Sequence, residues 1–244
     1  MFCLDVQLLI VQYSLEDSPL LPIALSRLLQ CPLPSPDKAR KYAQYLQSKA
    51  APVTLFQAAC GSGDLCIMQW LRKEFKFKLT RVAATEAFHI AACHGNLNML
   101  QWLAQEFNLT GGDARAQYNW AFCFAACNGH LDVVRWLTRE FKLTPVEARA
   151  GYTFGFRSAA QSGHLHVLQW LTQEFKLTGV DARAVNNWAF RSAAEAGHLE
   201  VLQWLRQEFK LTREDAWACD NWAFRYAAQN GHLKVSRWLK DEFS

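Results

Sequence analysis

Two residue pairs in this 244-residue chain have the types and spacing of metal ligands. His89 and Cys93 lie four residues apart, and so do Cys123 and Cys127. Residues four apart share a helix face, so one imidazole and three thiolates could form a zinc site. Against this, neighbouring helix axes sit about 8–10 Å apart and a tetrahedron needs all four side chains to converge. The reading adopted is that no metal is bound and that these are four unrelated small or polar residues. A second pattern is an aromatic row, Trp120, Phe154, Trp188 and Trp222, each three residues before Cys123, Arg157, Arg191 or Arg225. Aromatic faces beside guanidinium groups could stack bases and neutralise phosphates, as in single-strand nucleic-acid binders. The competing reading wedges these aromatics between successive helices, and Glu195 and a net charge of only +4 favour it. A third pattern is His130, His164, His198 and His232. A catalytic histidine occurs once, beside specific partners; one that recurs in four turns is structural, bonding backbone groups across its own turn. The chain carries no glycine-rich phosphate loop, nucleophile elbow or unique acid–base pair, so neither an enzyme nor a cofactor is expected.

All these residues belong to one repeated word. Gly-His-Leu-x-Val-x-x-Trp-Leu-x-x-Glu-Phe starts at Gly129, Gly163 and Gly197 and, with Asp241 before the Glu, at Gly231. A looser copy with Asn96 for the His starts at Gly95, and a degraded one at Gly63. The five clear copies are 34 residues apart, which means a stacked array of small units rather than one closed core. The array spans residues 51–244, behind a non-repeating leader or cap over 1–50. Thr110-Gly-Gly-Asp113 has capping-box spacing, repeated at Thr144/Glu147, Thr178/Asp181 and Thr212/Asp215. Ala114, Tyr118, Ala121, Phe122 and Ala125 then form one stripe until Gly129, which predicts a first helix, helix A, of roughly 17 residues. Leu131, Val134, Leu137 and Phe141 predict a second, helix B, of roughly 11. The Ala-Ala pair at 125–126 recurs through the array and lets neighbouring helices approach closely. The helix B tryptophans at 70, 102, 136, 170, 204 and 238 are expected to fill the layer between repeats. The linker into the second repeat is four residues shorter than the others, so its helix A should start about one turn late. The glutamates at 74, 106, 140, 174, 208 and 242 can pair with Arg115, Arg149 or Arg183, or face water.

Ala193-Ala194-Glu-Ala-Gly197-His198-Leu199-Glu-Val201-Leu202 resembles the ankyrin repeat, and the resemblance covers about residues 53–244. The chain departs from that family in two places. Trp188-Ala-Phe-Arg191 and its equivalents stand where the family has Thr-Pro-Leu-His, and Phe-Lys-Leu-Thr-x-x-Asp-Ala-Arg replaces the Gly-Ala-Asp hairpin. In this the chain is similar to the divergent ankyrin arrays of giant viruses and some protists. The resemblance implies an all-α helical-repeat solenoid of about six helix-turn-helix units, without full β-hairpins. It also implies a scaffold that binds another protein on a concave helix A face.

Columns that vary between repeats are where a partner would dock. Two residues before the Ala-Ala pair stand His89, Cys123, Arg157, Arg191 and Arg225. Just after the pair come Cys93, Cys127, Gln161, Glu195 and Gln229, and next His94, Asn128, Ser162, Ala196 and Asn230. The first two columns are four apart on one helix face, which the Arg, Gln and Glu residues mark as solvated. All of these but Ala196 are the candidate partner-binding residues. Leu21-Pro22-x-x-Leu25-x-x-x-Leu29 is similar to the start of an F-box, which would make the chain a substrate adaptor; the competing reading is a cap. The final helix B looks internal, so the C-terminal repeat reads as uncapped and open to self-association. No apolar run approaches the roughly 18 residues of a membrane span. The eight cysteines form no ladder through the repeats and there is no signal peptide, which points to reduced thiols in an intracellular, cytoplasmic protein.

Overall fold

The computed structural model describes residues 80–143 and 154–243, with isolated positions between 60 and 69. The N-terminal leader with its F-box-like segment, Trp70, and the Thr144/Glu147 cap lie outside the described residues. The described residues are mostly helical, with no strand among them. They divide into two compact units, Met1–Leu109 and Thr110–Ser244, each described by itself.

In the first unit, α1 (Arg81–Cys93) and α2 (Leu97–Glu106) pack as one helix pair. Thr80 caps α1 by accepting a 3.2 Å bond from the Ala83 N–H. The helix therefore begins at Arg81, one turn later in its repeat than the first helix of the next repeat does.

The second unit runs α3 (Gly111–Ala114), α4 (Ala116–Cys127), α5 (Leu131–Glu140), a helical stretch over 154–161, then α6 (Leu165–Phe175). It continues with α7 (Gly179–Ala182), α8 (Ala184–Glu195), α9 (Leu199–Phe209), α10 (Arg213–Ala216), α11 (Ala218–Gln229) and α12 (Leu233–Phe243). The capping boxes form as spaced: the Thr110, Thr178 and Thr212 N–H groups donate to Asp113, Asp181 and Asp215 Oδ2 at 2.7–2.8 Å. The expected 17-residue helix A does not. A four-residue helix comes first, and the chain then enters the left-handed region at Asn119 (φ 63), at Val185, Asn186 and Asn187 (φ 55 to 57), and at Cys219, Asp220 and Asn221 (φ 55 to 58). Each left-handed residue costs about 1–2 kcal/mol, least for Asn and Asp, which hold most of these positions. No glycine marks these turns, so the helical periodicity runs through them unbroken.

Helix A ends where the sequence says, and the cap geometry explains the invariant word. Gly129, Gly163, Gly197 and Gly231 sit at φ 77 to 84. At each, the glycine N–H bonds back to the second alanine of the Ala-Ala pair and the following His N–H to the first, as His130 does to the Ala125 carbonyl at 2.9 Å. This is the left-handed helix end that glycine adopts without a Cβ penalty. The paired alanines in α4, in α8 and at 159–160 are fully buried. Val167, Leu168, Leu171 and Phe175 of α6, with their counterparts in α9, complete the core.

Two sets of bonds hold successive repeats together. The turn histidine does not close its own turn; it reaches the preceding one. His198 Nε2 meets the Gln161 carbonyl at 2.9 Å, and its ring lies against Gly163, where an added Cβ would sit 2.6 Å from Nδ1. That carbonyl is an orphan at a helix C-terminus, so the contact satisfies a group the helix cannot. In the first unit Asn96 replaces the His and does the same, its Nδ2 donating to the Cys60 and Gly61 carbonyls at 2.9 and 3.0 Å. At the other end of the pair, Arg183 donates to Asp215 of the next capping box at 2.8–3.1 Å and to the Lys210 carbonyl at 3.3 Å. Arg115 likewise donates to the Phe141 carbonyl, and in the last repeat the Trp217 indole reaches the Phe243 carbonyl. Arg115 and Arg183 thus bond the end of a helix B, and Arg183 pairs with a capping aspartate rather than the glutamate column. Of that column, Glu242 pairs with Arg206 at 3.4 Å. The helix B tryptophans are half-buried rather than interior, each edge-on to the Phe five residues on at 5.6–6.2 Å. The aliphatic residues beside them fill the layer instead.

Candidate functional site

The varying columns of helix A divide by repeat. His89 and Cys123 are buried, at 7% and 1% exposure, so the solvated face expected there is absent. Burial pushes the Cys123 thiol up to about 12 and lowers His89 below the ordinary imidazole value. Both sit among the core alanines of their helices. Cys93 and Cys127 are half-buried, and Cys127 Sγ lies 3.5 Å from Ser162 Oγ, a bond between neighbouring repeats. Among the described residues, no group of three or more His, Cys, Asp or Glu side chains is gathered to hold a metal ion. His94, Asn128, Gln161, Gln229 and Asn230 are exposed, Glu195 and Ser162 half-buried. Several of these positions also serve the stack: the His94 ring folds back on the Ile90 carbonyl of its own helix, Gln161 supplies the carbonyl that His198 takes, and Asn230 donates to the Glu195 carbonyl at 2.8 Å.

The arginines behave differently. Arg157 and Arg191 are half-buried and Arg225 exposed, and they alternate with the aromatic row. The Arg157 guanidinium lies 5.5 Å from the Trp188 ring centroid, and Arg191 lies 5.8 Å from Trp188 and 5.2 Å from Trp222. Trp222 is stacked on Tyr226 at 4.1 Å. The result is a continuous run, Arg157, Trp188, Arg191, Trp222, crossing three repeats of the second unit. The expectation that these aromatics wedge between helices is not met: Trp120, Phe154 and Trp188 are 45, 52 and 43% exposed. The helix interface is filled by alanines and by Phe122, Phe156 and Phe190, two residues further on, leaving Trp120, Phe154 and Trp188 at the surface and Trp222 half-buried.

The left-handed turns position this row. Each of two turns ends one residue before a tryptophan and offers its carbonyls to the arginine on the following helical segment. Arg191 Nε donates to the Asn186 carbonyl at 2.7 Å and Nη2 to that of Val185 at 3.2 Å. Arg225 Nη1 approaches the Asp220 carbonyl at 3.4 Å. These carbonyls orient the guanidinium without neutralising it. Burial lowers Arg157 from the ordinary guanidinium value, yet the group stays charged at any physiological pH. Sequence reasoning missed Tyr226 and the turn residues Val185 and Asn186; the Asn187 and Asn221 before the tryptophans were the available signal. The arrangement holds no nucleophile with a base beside it. It offers cationic hydrogen-bond donors between large, partly exposed apolar rings, the composition of interface hot spots.

Residues 55–147 match a family model described as ankyrin repeats in three copies, and residues 190–239 match one described as ankyrin repeats in many copies. No curated protein matches the chain.

Proposed function

We propose that this chain, which belongs to the ankyrin-repeat family, binds a partner protein along the exposed arginine–aromatic row of its helix A segments. Ankyrin repeats are generally protein-interaction modules and typically non-enzymatic scaffolds. The observation that carries the reading is the placement of Trp120, Phe154 and Trp188 at the surface, with Arg157 and Arg191 laid against Trp188. Exposed large aromatics cost solubility, and a contiguous set of them marks an interaction site. The contact set is Arg157, Arg191 and Arg225 with Trp120, Phe154, Trp188 and Trp222, flanked by Asn128, Gln161, Glu195 and Gln229. Nucleic acid fits this surface less well, because guanidinium groups already cover Trp188 where a base would stack.

Capture from cells that express the chain, read by mass spectrometry with and without nuclease, tests the proposal. The charge-reversed R157E/R191E/R225E chain is the control. A protein held by the natural chain, insensitive to nuclease and lost from the control, is the expected result. Retention of the same partner by the control would place the docking face elsewhere. Recovery of nuclease-sensitive material alone would move the function to nucleic acid.

A further inference from the structure

We infer that the row receives an extended acidic segment of the partner, with a carboxylate at every third residue, one for each of Arg157, Arg191 and Arg225. This rests on the reading that the helix A row is the docking face.

Charge is the first argument. Arg191 and Arg225 make no ion pair among the described residues, and the groups they bond are the neutral carbonyls of Val185, Asn186 and Asp220. Glu195 stands one turn beyond Arg191 on the same helix without pairing it. Asp220 lies in the turn that holds Arg225, and it is its backbone carbonyl that Arg225 meets. Guanidinium groups held in place but not neutralised suit carboxylates, which they can bind in a fork. Orientation by the turn carbonyls also lowers the entropy lost on binding.

Spacing is the second argument. The three arginines are 34 residues apart and occupy the same place in successive repeats. Packed helices are separated by about 8–10 Å, which sets the interval between guanidinium groups. A polyproline II segment rises about 3.1 Å per residue with three residues per turn, so every third side chain returns to the same face after about 9.3 Å. A helix advances only about 4.5 Å over three residues, so acids at that spacing would miss the row and it would need them about two turns apart. A β-strand alternates faces with a period of two, so its third residue points away. Trp188, against which Arg157 and Arg191 lie, is 43% exposed and accommodates an apolar residue, proline included, between successive acids.

Binding of fluorescent peptides to the full chain, measured by anisotropy, tests this. One probe repeats Ala-Pro-Glu in triplets; a second has the same composition with its glutamates contiguous; a third is a single-stranded oligothymidylate of equal charge. The expected result is that the triplet peptide binds about tenfold more tightly than the contiguous one, each exposed ion pair adding a few-fold. Affinity should fall with salt, and R157K/R191K/R225K should retain it within about threefold, since charge is kept while the fork is lost. R157Q/R191Q/R225Q should lose it. If that variant unfolds by circular dichroism, R225Q alone, at an exposed position, should still weaken binding about two- to threefold. Equal affinity for the two peptide spacings, indifference to the Gln substitutions, or preference for the oligonucleotide would overturn the inference. A partner protein lost from the charge-reversed chain, with neither peptide bound, would leave the docking face standing and remove the acidic register. A partner unaffected by charge reversal would remove both.

Discussion

The turn histidine is the residue on which neighbouring repeats depend most visibly. His198 satisfies the Gln161 carbonyl and covers Gly163, and both contacts go with the imidazole. His198→Ala should cost about 1 kcal/mol in urea unfolding, the net contribution of one hydrogen bond. His198→Asn should keep most of that stability, because Asn96 makes the equivalent bonds in the first unit. Equal losses in the two variants would contradict the bonding role. Gly163→Ala should be destabilising by more than about 1 kcal/mol, since a Cβ meets both a left-handed φ of 80 and the His198 ring. A pH dependence follows from His164. Burial first, and then the neighbouring His166, lower its folded value below the ordinary 6.5. A group depressed on folding contributes stability above its unfolded pKa and withdraws it as pH falls. Melting temperature should therefore drop between pH 7.5 and 5.5, and drop less in His164→Asn. A flat profile in the natural chain would show that this ring does not titrate with folding. His130, His198 and Cys127 also face this ring electrostatically or through the backbone, so the variant rather than the slope alone assigns the effect.

At the scale of elements, the left-handed turns and the capping aspartate decide how each helix A begins. Val185 is a β-branched residue at φ 55, the least tolerant type for that region. Val185→Gly should relieve that strain and stabilise the chain by about 0.5–1 kcal/mol, the relief exceeding the extra entropy of glycine in the unfolded chain. A loss of stability would mean that the turn is not populated. Asp215 joins its own cap to the Arg183 of the preceding repeat. Burial alone would raise its carboxyl; the bonds from Arg183 and the Thr212 N–H outweigh it and hold the group below the ordinary range. That stabilisation is complete above the unfolded carboxylate pKa of about 4 and is lost as pH falls through the lower folded value. Asp215→Asn should cost about 1–2 kcal/mol at neutral pH, a figure reduced because Arg183 is partly exposed. The difference from the natural chain should vanish in strong acid. These elements also show what sequence could supply. Caps, helix ends and the 34-residue period are local, so the residues state them directly. The left-handed turns are carried by Val, Asn, Cys and Asp without a glycine, and helical periodicity passes through them. The staples join residues about one repeat apart, so they cannot be read from one copy of the word.

For the whole molecule, the division of labour between columns is the central result. Ala-Ala, Gly and His are constant because each is buried, left-handed or bonded to the preceding repeat. The columns that change are free to meet a partner where they reach the surface, and the structure narrows them. His89 and Cys123 sink into the core, whereas Arg157, Arg191 and Arg225 remain, with an aromatic surface beside them that wedging between helices would have hidden. The sequence made those arginines visible as a column. It could not weigh the tryptophans, because Trp and Phe enter cores and surfaces alike, and only the packing of Phe122, Phe156 and Phe190 behind them decides which. The most direct measurement replaces Trp188 by a photo-crosslinking phenylalanine derivative, with a second chain carrying it at Gln203, an exposed position on helix B. With the captured partner present, irradiation should give a covalent adduct from position 188 and none from 203. An adduct from 203 with none from 188 would contradict docking on the helix A row.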